Sequence, residues 1–315
     1  MASRFALARP ATLLIAAACT IGAAPASAQA PAARALPEST TVILLGTGMP
    51  VPNHLAQGPA TAVVAGGRLF VFDAGPGVMR QMDAAGLPYR GGAITALFLT
   101  HLHSDHTLGY PDVLLTSWVM GRRTPLRVVG PPGTRRMTER ILEAWSEDID
   151  VRTNGLERGQ PGGWRADVRE TGGGVVYDSA GVTIRAIPVM HGDWKHALAY
   201  RVDAPGKSVV ISGDTAPCPA LEQAARGVDV LIHEVYPEVR LKPEDRPGGD
   251  AWPRYMHAFH TSDRELGAIA ARAQPKRLVL HHIVRMGGTD EELIAGVRAG
   301  GFTGPVTIGH DLERY

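Results

Sequence analysis

The chain has 315 residues, 44% of them hydrophobic and 20% charged, a composition that excludes a disordered or fibrous protein and allows a large buried core. Its 32 basic and 31 acidic residues leave a formal charge of +1, so no net field draws it toward nucleic acid or an anionic membrane. Length permits two domains, but no long Pro-, Ser- or charge-rich linker interrupts the chain, and one domain is expected over residues 29–315.

Residues 1–28 read as a cleaved signal peptide. Arg4 and Arg9 give a positive start, residues 11–18 are apolar, and Ala26-Ser27-Ala28 offers a cleavage site. That run is shorter than the roughly 20 residues that span a bilayer, so no stable membrane anchor is expected. Cleavage before Cys19, as in a lipoprotein, is disfavoured because Ala16-Ala17-Ala18 lacks the usual bulky residue. Periplasmic or secreted location follows, and loss of two arginines moves the charge to about −1. Cys218 is then the only cysteine, which rules out an intramolecular disulfide and reads as a buried structural thiol.

Short β-branched runs recur along the chain, at residues 41–46, 61–65, 68–73, 94–100, 126–129, 182–189, 197–202, 208–212, 228–233 and 277–281, and each predicts a strand. Between them, residues 134–147 place Met137, Ile141, Leu142 and Trp145 on one helical face. Ser262 with Glu265, and Thr289 with Glu292, carry capping-box spacing ahead of apolar helical residues. Residues 146–174 lack periodicity and read as an excursion or loop. The pattern suits two packed sheets covered by helices, although periodicity alone does not separate it from a doubly wound sheet.

The sharpest chemical signal is His101-Leu102-His103-Ser104-Asp105-His106, directly after the apolar run 94–100. A strand ending there delivers four metal-ligating side chains into one turn, and imidazole with carboxylate is a donor set that suits zinc. His191, Asp214 and His282 each stand where a later strand gives out. A carboxylate such as Asp214 can bridge two cations roughly 3.5–4 Å apart.

With these motifs in this order the chain resembles the metallo-β-lactamase superfamily. Asp73-Ala74-Gly75-Pro76-Gly77, His233-Glu234 after the Ser212-Gly213-Asp214-Thr215 turn, and His260-Thr261-Ser262 before a helix make it similar to the branch containing ribonuclease Z, arylsulfatases and cyclic-nucleotide phosphodiesterases. The resemblance implies an α/β fold, an αββα sandwich, and two zinc ions per chain. One ion would be held by His101, His103 and His191, the other by Asp105, His106 and His282, with Asp214 between them. His281 competes with His282, which the family spacing from Leu280 favours; His257 competes with His260, which the following Thr and Ser favour. Asp73 reads either as a support for the His loop or as a structural hydrogen-bonding residue.

The resemblance implies hydrolysis in which the ions lower the pKa of a shared water so that it attacks as hydroxide. The catalytic set is then Asp105, His260 and Glu234, with His260, held by Glu234, as the general acid. Residues 146–178 carry Arg152, Arg158, Arg165 and Arg169 against Glu147, Asp148, Asp150, Glu157, Asp167, Glu170 and Asp178. An acidic segment there repels a phosphate backbone, so the expected substrate is a small anionic ester, a phosphodiester or aryl sulfate, with no nucleic-acid partner. A β-lactam or lactone hydrolase, a ribonuclease Z-type endonuclease and a non-hydrolytic metal protein are the alternatives, and homodimerisation is left open.

Overall fold

The computed structural model describes residues 36–315. The signal-peptide reading of residues 1–28, with the exported location drawn from it, lies outside the described residues. Among the described residues no helix is long and apolar enough to cross a membrane.

The chain builds two sheets to one plan. In the first, β1 (Thr41–Gly46), β2 (Ala60–Ala65) and β3 (Arg68–Phe72) form an antiparallel meander, and β4 (Ile94–Phe98), β5 (Leu126–Gly130) and β6 (Ala166–Glu170) add in parallel. Helices α1 (Val78–Ala84), α2 (Ser104–Thr107), α3 (Tyr110–Val119), α4 (Thr134–Ala144) and α5 (Ser146–Asn154) belong to this half. In the second, β7 (Gly174–Ser179), β8 (Val182–His191), β9 (Trp194–Ala204) and β10 (Lys207–Ile211) form the meander, and β11 (Val230–Val235), β12 (Leu278–Ile283) and β13 (Val306–Ile308) add in parallel. Helices α6 (Pro219–Ala224), α7 (Trp252–Phe259), α8 (Asp263–Ala273) and α9 (Asp290–Ala299) accompany it.

The period-2 pleat sorts each strand's side chains between two cores. Val42 and Leu44 of β1 join Phe72, Phe98, Tyr200 and Ile211 in the layer between the sheets. Ile43 and Leu45 point the other way and pack with Val78, Met79 and Leu114 of α1 and α3. On the far face of the second sheet, Val210, Leu231 and Leu280 meet Leu266 and Leu293 of α8 and α9. The result is the expected αββα sandwich. Both capping boxes form, Ser262 with Glu265 at α8 and Thr289 with Glu292 at α9.

The excursion expected over residues 146–174 is a correction: it contains α5 and β6, and β7 follows directly. These elements expose most of their residues, with only Ile149 buried on α5 and only Val168 on β6. They therefore lack the apolar periodicity from which a sequence is read. The helix predicted over 134–147 breaks at Trp145, whose backbone leaves helical geometry at φ −101°, ψ 17°.

Candidate metal centre

Chemistry-bearing side chains gather where β4, β8, β10, β11 and β12 end. After β4 the chain passes through Thr100 into His101, which is fully buried, and His103 adopts an extended conformation at φ −60°, ψ 150° before the single turn of α2. That reversal brings Asp105 and His106 back to the side occupied by His101. His191 closes β8 after an irregularity in the β8–β9 register. It is followed by Gly192 at φ +52°, where a Cβ would lie 2.0 Å from the Phe259 ring, so no other residue fits without displacing that ring. Asp214 follows Gly213 at φ +58°, packed so closely on Thr100 that a Cβ would meet its side chain at 2.7 Å. Asp73 and His282 are themselves in the left-handed region, at φ 58° and 43°. Such backbone strain in non-glycine residues persists where surrounding structure over-determines it.

Two groups of potential ligand atoms result: His101, His103, His191 and Asp214 in one, Asp105, His106 and His282 in the other, each with its atoms within 4.8 Å of one another. Asp214 lies between them. Its Oδ1 is 3.2 Å from His106 Nε2, and its Oδ2 is 3.8 Å from His101 Nε2 and 3.7 Å from His282 Nε2. His282 Nε2 stands 3.1 Å from Asp105 Oδ2, whereas His281 faces away and its Nε2 meets the Gly46 carbonyl at 2.8 Å.

Hydrogen bonds fix which ring nitrogens carry lone pairs. Thr100 Oγ1 donates to Asp73 Oδ2, so it accepts from His101 Nδ1 at 3.0 Å and leaves His101 Nε2 unprotonated. His191 Nδ1 donates to the Phe259 carbonyl at 2.7 Å, with the same consequence for its Nε2. His106 Nδ1 donates to Asp73 Oδ2 at 2.8 Å. His101 Nε2 and His191 Nε2 both lie against His103 Nδ1, at 3.0 and 3.1 Å; because Trp194 Nε1 donates to His103 Nε2, the neutral His103 ring carries its proton on Nδ1 and shares it with these two lone pairs, a proton that a bound cation would replace. His106 Nε2 and Asp214 Oδ1 are buried without a hydrogen-bond partner. Orphaned buried polar atoms inside a cluster of imidazoles and carboxylates are what a cation satisfies, so the residues fit divalent metal.

Electrostatics points the same way. Burial pushes His103 and His191 down to about 4 and holds His101 well below the usual histidine range, the neutral state that metal ligation needs. For His106 burial acts downward too, but the Asp214 and Asp73 carboxylates outweigh it and raise the pKa well above the ordinary value. The buried carboxylates of this site demand positive charge.

Glu234, at the end of β11, ties the periphery together. Its Oε1 accepts from the backbone N–H groups of Thr215 and Thr261, both at 3.1 Å, and its Oε2 lies 3.3 Å from His260 Nδ1 without hydrogen-bond alignment. His260 is buried, its ring 5.4 Å from that of His191 and 6.2 Å from that of His282. His257 is exposed and meets only the Tyr236 hydroxyl, at 3.2 Å. His54 and His196 are exposed, and Cys218 is buried at the start of α6, outside both groups.

Sequence reasoning missed two contributors. Thr100 relays Asp73 to His101, and Trp194 Nε1 donates to His103 Nε2 at 2.6 Å. Neither residue type signals metal chemistry; the Trp194 position, three residues after His191 across a tight turn, was the available clue.

This fold and site define a class, and the comparisons agree: the model of the beta-lactamase superfamily domain matches residues 68–283, and the chain belongs to that superfamily, in its ribonuclease Z branch. It is a metal-dependent hydrolase acting on ester bonds. It is 37% identical over 282 residues to the ribonuclease Z of Mycobacterium bovis, covering 87% of this chain and 96% of that protein, and 38% identical over 280 residues to that of Mycolicibacterium paratuberculosis, with the same coverage. Among solved structures it is similar in fold to the metallo-beta-lactamase fold protein YhfI from Bacillus subtilis, at TM-score 0.66 and 18% identity over 88% of this chain and 98% of that one. The short form of human tRNase Z matches at TM-score 0.63 and 21% identity, over 87% of this chain and 98% of that one.

These relatives overturn two expectations. The small anionic ester substrate, with aryl sulfate among its forms, and the absence of a nucleic-acid partner are both set aside, because relatives alike over nearly the whole chain are ribonucleases. The physical error was to average charge over residues 146–178. That window opens just after α4, whose Arg136 and Arg140 line a groove against Trp194 beside the His turn. Charge acts from where it stands in space, not from its place in a sequence window.

Proposed function

We propose that the chain is a ribonuclease Z-type phosphodiesterase that hydrolyses a tRNA-class RNA at a pair of zinc ions. The single observation that supports this most directly is the place of Asp214 between the two groups: its Oδ2 is 3.8 Å from His101 Nε2 and 3.7 Å from His282 Nε2, and its Oδ1 is 3.2 Å from His106 Nε2, so one carboxylate would serve cations held by either group. The absence of thiolate from both groups, with histidine nitrogens and carboxylate oxygens as donors, suits zinc. When bound, the metal pair supplies an activated water and electrostatic stabilisation of the phosphoryl oxygens.

The remaining work falls to this chain's own residues. Asp73 orients a ligand in each group, His106 directly and His101 through Thr100. His260, buried beside both groups and facing Glu234, is placed to give a proton to the leaving oxygen; positioned proton transfer of this kind contributes about 10²- to 10⁴-fold. Glu234 acts against the cost of burying that imidazole's charge and holds the Thr261 backbone beside it.

The test compares kcat/KM of zinc-loaded enzyme for a precursor tRNA, bis(p-nitrophenyl) phosphate, p-nitrophenyl sulfate and a chromogenic β-lactam. Precursor tRNA should lead the panel. Turnover of any of the others with tRNA left intact overturns the reading.

A further inference from the structure

We propose that the groove between α4 and Trp194 is a binding site for unpaired nucleotides of the RNA, which stack on Trp194 and Trp145 while Arg136 and Arg140 meet their phosphates. This rests on the reading of the enzyme as a ribonuclease and adds to it the place where the strand lies.

The groove is built onto the metal centre. Leu102, on its floor, stands between His101 and His103, and Trp194, on its wall, donates to His103 Nε2 at 2.6 Å and meets that ring at 85°. Gly133 closes the other side at φ +106°, where even a Cβ would press on Leu102 at 3.0 Å. The volume is about 730 Å³, within the ~300–1,000 Å³ of small-ligand clefts, which is room for nucleotides and too little for a duplex.

Its chemistry matches a single strand. Trp145 is 41% exposed, at the break between α4 and α5, and offers a π-face of the kind on which any base stacks. No carboxylate lines the groove, while two arginines do. Arg136 makes no ion pair among the described residues, and Arg140 pairs only with Glu143, where both side chains are more than two-thirds exposed or nearly so, at 75% and 67%. Such an exposed pair is worth little, and a phosphate can replace the carboxylate. Two arginines beside one exposed and one half-buried indole, in a lining without a carboxylate, favour a polyanion of flat bases over an apolar peptide.

The experiment measures fluorescence anisotropy of a labelled six-residue phosphorothioate oligouridylate on zinc-loaded enzyme, across a salt series, for wild type and for Trp145→Ala, Trp145→Phe and Arg136→Ala/Arg140→Ala. Metal content of each variant is read in parallel. Trp145→Ala should weaken binding about 5- to 100-fold, with Trp145→Phe recovering most of it. Loss of both arginines should flatten the slope of log K against log salt by about 1.4, at 0.7 per phosphate for a single strand, a change that a merely structural role does not produce. Unchanged affinity and slope in these variants, with precursor tRNA still cleaved by wild type, overturns the groove alone. Wild-type enzyme that neither cleaves precursor tRNA nor binds the oligonucleotide overturns the ribonuclease reading, and the groove with it. Competition of the oligonucleotide by an apolar peptide but not by polyuridylate also overturns the groove.

Discussion

Asp73 Oδ2 lies 2.8 Å from His106 Nδ1 and 2.8 Å from Thr100 Oγ1, which in turn meets His101 Nδ1 at 3.0 Å. One carboxylate, held in a left-handed turn directly after β3, therefore sets the tautomer of a histidine in each ligand group. Replacing Asp73 with Ala frees both rings. We expect metal affinity to fall about 10- to 100-fold, as for other groups that orient metal ligands, measured by competition with a chromogenic chelator. Unchanged affinity contradicts this role.

Asp214→Ala should be more damaging than loss of a ligand from one group only. It removes the carboxylate that faces both groups and leaves His106 Nε2 without its nearest acidic neighbour. Elemental analysis of purified protein should show loss from both positions, and dialysis of wild type against a chelator should abolish hydrolysis, with zinc restoring it. Full occupancy in the variant contradicts the shared placement of Asp214.

His260→Ala should keep its metal and lose rate. The loss is expected to be about 10²- to 10⁴-fold on RNA, whose leaving oxygen is an alkoxide, and much smaller on bis(p-nitrophenyl) phosphate, whose leaving phenolate needs less protonation. An equal loss on both substrates assigns His260 to positioning instead of proton transfer.

Asp229 gives a stability prediction away from the metals. Its carboxylate accepts from the Ser208 N–H at 2.7 Å, the Ser208 hydroxyl at 2.9 Å and Lys276 Nζ at 2.7 Å, clamping the start of β10 beside that of β11. The Lys276 hydrogen bond, then those from Ser208, lower its pKa from the ordinary 3.8 to about 2. A depressed carboxylate contributes stability that is fully present above its unfolded value and is lost as pH falls from near 4 through about 2. Because Lys276 is largely exposed, the clamp should be worth only about 1–2 kcal/mol in Asp229→Ala, seen as a Tm lower by a few degrees at pH 7. The gap between wild type and variant should close in acid; a gap of constant size from pH 7 to pH 2 contradicts it.

The sequence by itself determined the succession of buried strands and the inventory of candidate metal donors. Runs such as Val42-Ile43-Leu44-Leu45 are apolar on both faces because that strand is buried on both, and His101, His103, Asp105 and His106 are legible because four ligating side chains in six residues follow an apolar run. The choices between neighbours were structural. The irregular register beside His282 and its positive φ turn that ring toward Asp105 while His281 takes the Gly46 carbonyl, and α7 leaves His257 outside while His260 meets Glu234. The elements over residues 146–174 escaped reading because solvent takes most of their side chains, so nothing periodic is imposed on them. The same separation misled the charge argument: Arg136 and Arg140 share a groove with Leu102 and Trp194 only because α4 packs beside them, a relation set by burial and chain crossing between distant residues, which no local window records.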